Sequence, residues 1–114
     1  MHELSIAQSI VETVLQEMER RNLKEVKAIG LRVGALSGVM AEALQFNYEV
    51  IVKETPLEHT RLEIEDVPVR ARCRACGHRF EVREPFFLCP GCGSGDVEIQ
   101  SGQELDIAYL EVEE

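Results

Sequence analysis

Cys73-Arg-Ala-Cys76-Gly-His-Arg-Phe-Glu-Val-Arg-Glu-Pro-Phe-Phe-Leu-Cys89-Pro-Gly-Cys92-Gly93 contains every cysteine of the chain, as two C-x-x-C pairs with twelve residues between them. Each pair lets two sulfurs of one tight turn reach the same ion, and the intervening residues suit an out-and-back β-hairpin that lays the second turn beside the first. The expected product is a tetrahedral four-thiolate site at Cys73, Cys76, Cys89 and Cys92. An all-sulfur set leaves no open position for water or substrate, so its metal serves structure and not catalysis. Disulfides suit a secreted chain, but Met1 runs straight into charged and polar residues of a helix-like pattern, not a signal peptide. Haem attachment requires His directly after a Cys pair, where this chain has Gly77 and Gly93. Iron is the rival, because these turns look like the knuckles of rubredoxin as much as those of zinc ribbons. Zinc is favoured, since redox use needs a dense shell and only Phe80, Phe86, Phe87 and Leu88 lie between the pairs to supply one.

Outward from the cysteines, charge divides the chain. Residues 69–101 hold five arginines (Arg70, Arg72, Arg74, Arg79, Arg83) against four acids, a balance of +1, whereas the remainder carries seven basic and seventeen acidic groups, or −10. Arg70, Arg72 and Arg74 recur at the strand period and share one face of an extended chain, either as a solvated surface or as a surface for an acidic partner. The overall charge of −9 argues against general nucleic-acid binding. No apolar run approaches membrane-spanning length. Metal-spaced cysteines without a targeting segment point to the cytoplasm.

The flanking sequence predicts an α+β body. Leu4, Ala7, Val11, Val14, Leu15 and Met18, widened by Ile6 and Ile10, recur at the helical interval over residues 4–21. Ser5 and Gln8 have capping-box spacing, although a start one turn earlier fits equally, and Asn22 is a left-handed stop. Residues 25–33 alternate as a strand with Ile29, Leu31 and Val33 on one face. A second helix is expected over 40–52, with Met40, Ala43, Leu44, Asn47 and Ile51 as its stripe, extended by Phe46 and Val50, and with Glu42, Tyr48 and Glu49 at its surface or edge. Thr55-Pro56 breaks it. Strands follow at 60–65, at 96–100 and at 104–112, and the alternation changes phase near Asp66, as at a bulge or a handover between sheets. The economical fold is a small three-stranded sheet with two helices, plus an inserted zinc-ribbon-like four-cysteine hairpin module. The division is 1–68 with 102–114 for the body and 69–101 for the insert, which is too short to hold itself together by apolar burial alone.

At the other end, Met1-His2-Glu3 can chelate. The Met1 amine, the His2 backbone nitrogen and the His2 imidazole close two fused rings in one plane, a nitrogen set that suits Ni(II) or Cu(II) and suits zinc poorly. The fourth corner is open to the Glu3 backbone nitrogen or carboxylate, a neighbouring side chain, or water. His59 reads as a surface turn residue and His78 as a hydrogen-bonded loop histidine. No base, nucleophile and orienting group stand at telling positions, so no enzyme is expected.

The opening MHELSIAQSIVE, the Gly-x-Leu-Ser-Gly-Val turn at 34–39 and the C-x2-C-x12-C-x2-C near the carboxyl end resemble, together and in order, the HypA/HybF family of hydrogenase nickel incorporation proteins. The resemblance implies a nickel metallochaperone that holds Ni(II) transiently at Met1, His2 and Glu3 and structural Zn(II) at Cys73, Cys76, Cys89 and Cys92. It further implies delivery to the large subunit of a [NiFe]-hydrogenase in concert with the GTPase HypB, with urease maturation as a related destination and a monomer or homodimer as the working form. A zinc-ribbon adaptor for protein or nucleic acid and a rubredoxin-like electron carrier are the alternative readings.

Overall fold

A computed structural model describes residues 2–113. Two helices and six strands follow in the order α1 (Glu3–Arg20), β1 (Val26–Gly34), α2 (Ala41–Ile51), β2 (Arg61–Val67), β3 (Arg70–Cys73), β4 (Arg79–Glu81), β5 (Val97–Ser101) and β6 (Leu105–Val112). The strands form two three-stranded sheets, ordered β2-β1-β6 and β4-β3-β5. The chain divides into two compact units: one of 1–32, 38–65 and 106–114, the other of 33–37 and 66–105.

In the first unit, α1 starts at the earlier of the two expected places. His2 is its extended N-cap and Ile6 N–H donates to the His2 carbonyl, so Ser5 lies inside the helix and the Ser5/Gln8 capping box does not form. Asn22 adopts φ 55°, and the Leu23 N–H donates back to the Met18 carbonyl at 2.8 Å, which closes the helix end. Ala7, Ile10, Val11, Val14 and Met18 are buried, as the spacing predicts, together with Ile29 and Leu31 of β1.

The second helix corrects its predicted stripe. Leu44, Tyr48 and Val52 are buried, spaced four residues apart, whereas Met40, Phe46 and Val50 are exposed. Tyr48 is therefore a core residue and not a surface one: it is 1% exposed, and its hydroxyl donates to the Thr60 carbonyl at 2.9 Å. Thr60, the buried polar residue beside it, donates from Oγ1 to the Val26 carbonyl at 2.6 Å. These two bonds tie α2 and the start of β2 to the start of β1, and each satisfies a carbonyl that burial would otherwise penalise.

On the sheet, the Tyr109 ring of β6 occupies the space that a side chain at position 30 of β1 would need. Its hydroxyl donates to Glu63 Oε1 of β2 at 2.7 Å, so one aromatic side chain crosses all three strands over Gly30. Arg61 reaches Glu111 at 3.1 Å on the same pair of outer strands.

In the second unit the phase change near Asp66 proves to be a handover: β2 belongs to one sheet, and β3, beginning three residues after β2 ends, to the other. β3 is the middle strand. Its antiparallel register sets Arg70 opposite Glu81, Ala71 opposite Phe80 and Arg72 opposite Arg79 on β4, and Arg72 opposite Glu98 and Cys73 opposite Val97 on β5. The end of β1 is stitched into this unit by backbone bonds, Gly34 N–H to the Glu104 carbonyl at 2.7 Å and Leu36 N–H to the Gly102 carbonyl at 2.6 Å.

Candidate metal centre

Each C-x-x-C pair folds into the same short turn. Cys73 N–H donates to the His78 carbonyl and Gly77 N–H returns to the Cys73 carbonyl, both at 2.8 Å; Cys89 N–H donates to the Ser94 carbonyl at 2.9 Å and Gly93 N–H to the Cys89 carbonyl at 2.8 Å. Gly77 and Gly93 take φ of 81° and 77°, the left-handed conformation that a side chain disfavours, and this is why a glycine follows each pair. A backbone N–H also points at the first sulfur of each turn: Cys76 N–H lies 3.4 Å from Cys73 Sγ and Gly91 N–H 3.3 Å from Cys89 Sγ.

The two turns bring the four expected residues to one point. All four sulfurs lie within 4.8 Å of one another, and the cross-turn pairs Cys73–Cys92 and Cys76–Cys89 are each 3.6 Å apart. A tetrahedral zinc at the usual Zn–S length sets sulfurs about 3.8 Å apart, whereas a disulfide needs about 2.05 Å. The cysteines are free and spaced for a shared ion. Cys73 and Cys89 are buried and Cys76 and Cys92 exposed, so the site has one protected and one open side.

The sulfurs also compete for negative charge. The Cys76 backbone N–H, outweighing desolvation and joined by that of Ala75, draws the Cys73 thiol down to about 7. Cys92 receives help from the Ser94 backbone N–H, yet Cys73, desolvation and the other two sulfurs together push it up to about 12. Four thiolates this close cannot all ionise alone; a divalent cation removes the conflict, and a soft one suits the sulfur donors. Phe86 and Leu88 are more than half exposed, so they do not close an apolar shell over the sulfurs.

The other sequence candidates are placed separately. His2 is exposed at the head of α1, and Met1 lies outside the described residues. The Glu3 carboxylate accepts the Met40 N–H at 3.2 Å, which caps α2 and, with Glu3's own N–H, holds the carboxyl below its usual range. The sequence reading missed this contact because its donor is a backbone group, invisible in residue identity. His59 is 94% exposed at its side chain, 3.5 Å from Glu58 Oε1, as a surface turn residue should be. His78 differs from expectation: its ring stacks on Phe80 with centroids 5.9 Å apart and planes 12° apart.

Two helices and two small sheets with four cysteines spaced for one ion define a class: a small α+β protein with a four-sulfur candidate metal site. The chain matches, over residues 1–112, the family described as "Hydrogenase/urease nickel incorporation, metallochaperone, hypA". It is 44% identical to hydrogenase maturation factor HypA of Geobacter metallireducens, covering 99% of this chain and 100% of that one. It is 40% identical to its counterpart in Crocosphaera subtropica, covering 100% and 97%. The fold is shared with the solution structure of the Ni metallochaperone HypA from Helicobacter pylori, at TM-score 0.67 and 23% identity over 98% of this chain and 97% of that one. The chain belongs to the HypA family of nickel incorporation metallochaperones and hydrogenase maturation factors. No helix among the described residues is long and apolar enough to cross a membrane.

Proposed function

We propose that this chain is a non-catalytic carrier of Ni(II), loaded at Met1, His2 and Glu3 in the body formed by 1–68 and 102–114, with Zn(II) held by Cys73, Cys76, Cys89 and Cys92 in the segment 69–101. The carrying observation is that His2 stands exposed as the N-cap of α1 in a chain whose residues 1–112 match a nickel incorporation family. The first backbone N–H groups of a helix have no carbonyl one turn earlier to bond, so the amides of His2 and Glu3 can turn to a metal without dismantling α1. The positive end of the helix dipole works against a divalent cation there, which favours a cargo that is released over one that is kept. Met40 takes one oxygen of the Glu3 carboxylate and Glu3's own N–H is also drawn to that group, so the fourth corner stays open to either Glu3 donor, a neighbouring side chain or water.

Zinc is preferred to iron at the sulfurs because the aromatic residues between the pairs leave them poorly shielded. The recipient is the large subunit of a [NiFe]-hydrogenase, with HypB as the partner GTPase, in the cytoplasm; urease maturation is the related destination. Calorimetry on untagged protein tests the cargo site. His2→Ala, or an added residue before Met1, should abolish nickel uptake and leave zinc content unchanged, and undiminished nickel affinity in either variant would refute the assignment. Imidazole and amide must shed protons to bind the metal, so affinity should fall on acidification.

A further inference from the structure

The cysteine module carries an unneutralised basic face. Arg70 and Arg72 alternate along β3 with Ala71 and Cys73, so the arginines project to the opposite side of the sheet from the buried Cys73 sulfur. Arg79 on β4 stands directly across from Arg72 and adds a third guanidinium to that side. Like charges opposed across two strands destabilise the pair, and carboxylates normally sit beside them in compensation.

Here the nearest acids are engaged elsewhere. Glu81, opposite Arg70, accepts Arg83 at 2.9 Å; Glu98, opposite Arg72, lies 3.9 Å from Arg74, which also holds Asp96 at 3.2 Å. Among the described residues, the side chains of Arg70, Arg72 and Arg79 make no hydrogen bond or ion pair, and Arg72 is half-buried. β4 is also an edge strand, with backbone groups free for another chain. A cavity of about 230 Å³ borders that edge, lined by the apolar Phe80, Val82, Phe86, Leu88 and Pro90 together with Glu81, Arg83 and Glu84, and Phe86 and Leu88 are 59% and 55% exposed. Its volume admits one bulky apolar side chain.

We propose that the edge of β4 docks an acidic, extended segment of a partner polypeptide, whose carboxylates pair with Arg70, Arg72 and Arg79 on one side of the sheet while an alternate apolar side chain enters the cavity bordered by Phe80 on the other. Charge complementarity and the strand edge together select the occupant: planar guanidinium groups take carboxylates in forked pairs, and only a polypeptide can also bond along the edge of β4. The proposal requires the folded module and is independent of the amino-terminal cargo site.

The test is fluorescence anisotropy with zinc-loaded, nickel-free full-length protein and a labelled peptide of alternating glutamate and leucine. The peptide should bind, binding should weaken as salt rises, and the matching lysine–leucine peptide should not bind. The double variant R72Q/R79Q should lose at least about tenfold in affinity, the scale of one charge-assisted pair. In the free protein Arg79→Gln should raise the melting temperature, because it removes a like-charge contact; a merely structural arginine would lower it. Arg79→Glu should shift preference toward the lysine peptide. Equal affinity for both peptides, an unchanged double variant, or tighter binding of a single-stranded oligonucleotide would each overturn the proposal. Should the double variant lose its zinc, Arg70→Gln at the start of β3 gives the same reading, and unchanged glutamate-peptide affinity there counts against docking.

Discussion

Tyr48 is where side-chain chemistry and fold stability meet most directly. Its hydroxyl is buried and serves a single acceptor, the Thr60 carbonyl. Tyr48→Phe should therefore cost about 1–2 kcal/mol in urea denaturation, since it leaves that carbonyl without its donor. Burial also pushes the Tyr48 phenol from 10.0 up to about 12. The folded chain keeps a proton that the unfolded chain releases, so stability is intact below pH 10 and falls as pH rises from 10 towards 12, by up to about 1.4 kcal/mol per unit. The Phe variant should lack this part of the alkaline loss. Gly30 is as demanding: Gly30→Val must displace the Tyr109 ring and break its bond to Glu63, which should cost about 1–3 kcal/mol in urea denaturation. The two tyrosines were not equally legible. Tyr48 sits in register with Leu44 and Val52 but was obscured by the equally periodic Phe46 and Val50, and nothing in residue identity tells which of two apolar stripes a short helix will bury.

At the level of elements, the cysteine spacing specified the two turns and the meeting of the four sulfurs, but not the strands around them. The two turns came as expected and their backbone bonds match one for one, but the out-and-back hairpin expected between the pairs does not form: β4 pairs with β3 across the first turn, and residues 82–88 return without a strand. The strand after the second turn was expected, but its partner was not assigned; β5 pairs with β3 and completes a sheet private to this unit. Pairing depends on residues far apart in sequence, and alternation alone does not name the neighbour. The amphipathic pattern of α1 was readable to within one residue at each end. Its start was not decided by the sequence because the N-cap is His2, which makes no side-chain cap bond. With so few buried apolar residues, the module's order should depend on its ion. A chelator should raise hydrogen exchange across 69–101 while α1 and α2 stay protected; exchange rising together throughout the chain would defeat that division.

For the whole molecule, the proposed function keeps two metal chemistries apart by donor type and by place in the chain. Elemental analysis after nickel loading should find one zinc and one nickel per chain, with the nickel lost first to a competing chelator. A rubredoxin-like carrier would instead hold iron and be coloured, and an adaptor would hold zinc alone. The −10 of the residues outside 69–101 sits largely on exposed side chains, including Glu63, Glu65, Glu111 and Glu113 of β2 and the β6 end. Composition announced that charge; where it lies came only with the strand order.

β6 follows the cysteine module in the chain but belongs to the sheet that β1 and β2 begin. A ribosome makes the sulfur turns before it makes the strand that lays Tyr109 over Gly30. The nascent polypeptide can thus be metallated at its cysteines while its helical half still lacks an edge, and the order of translation becomes an order of assembly.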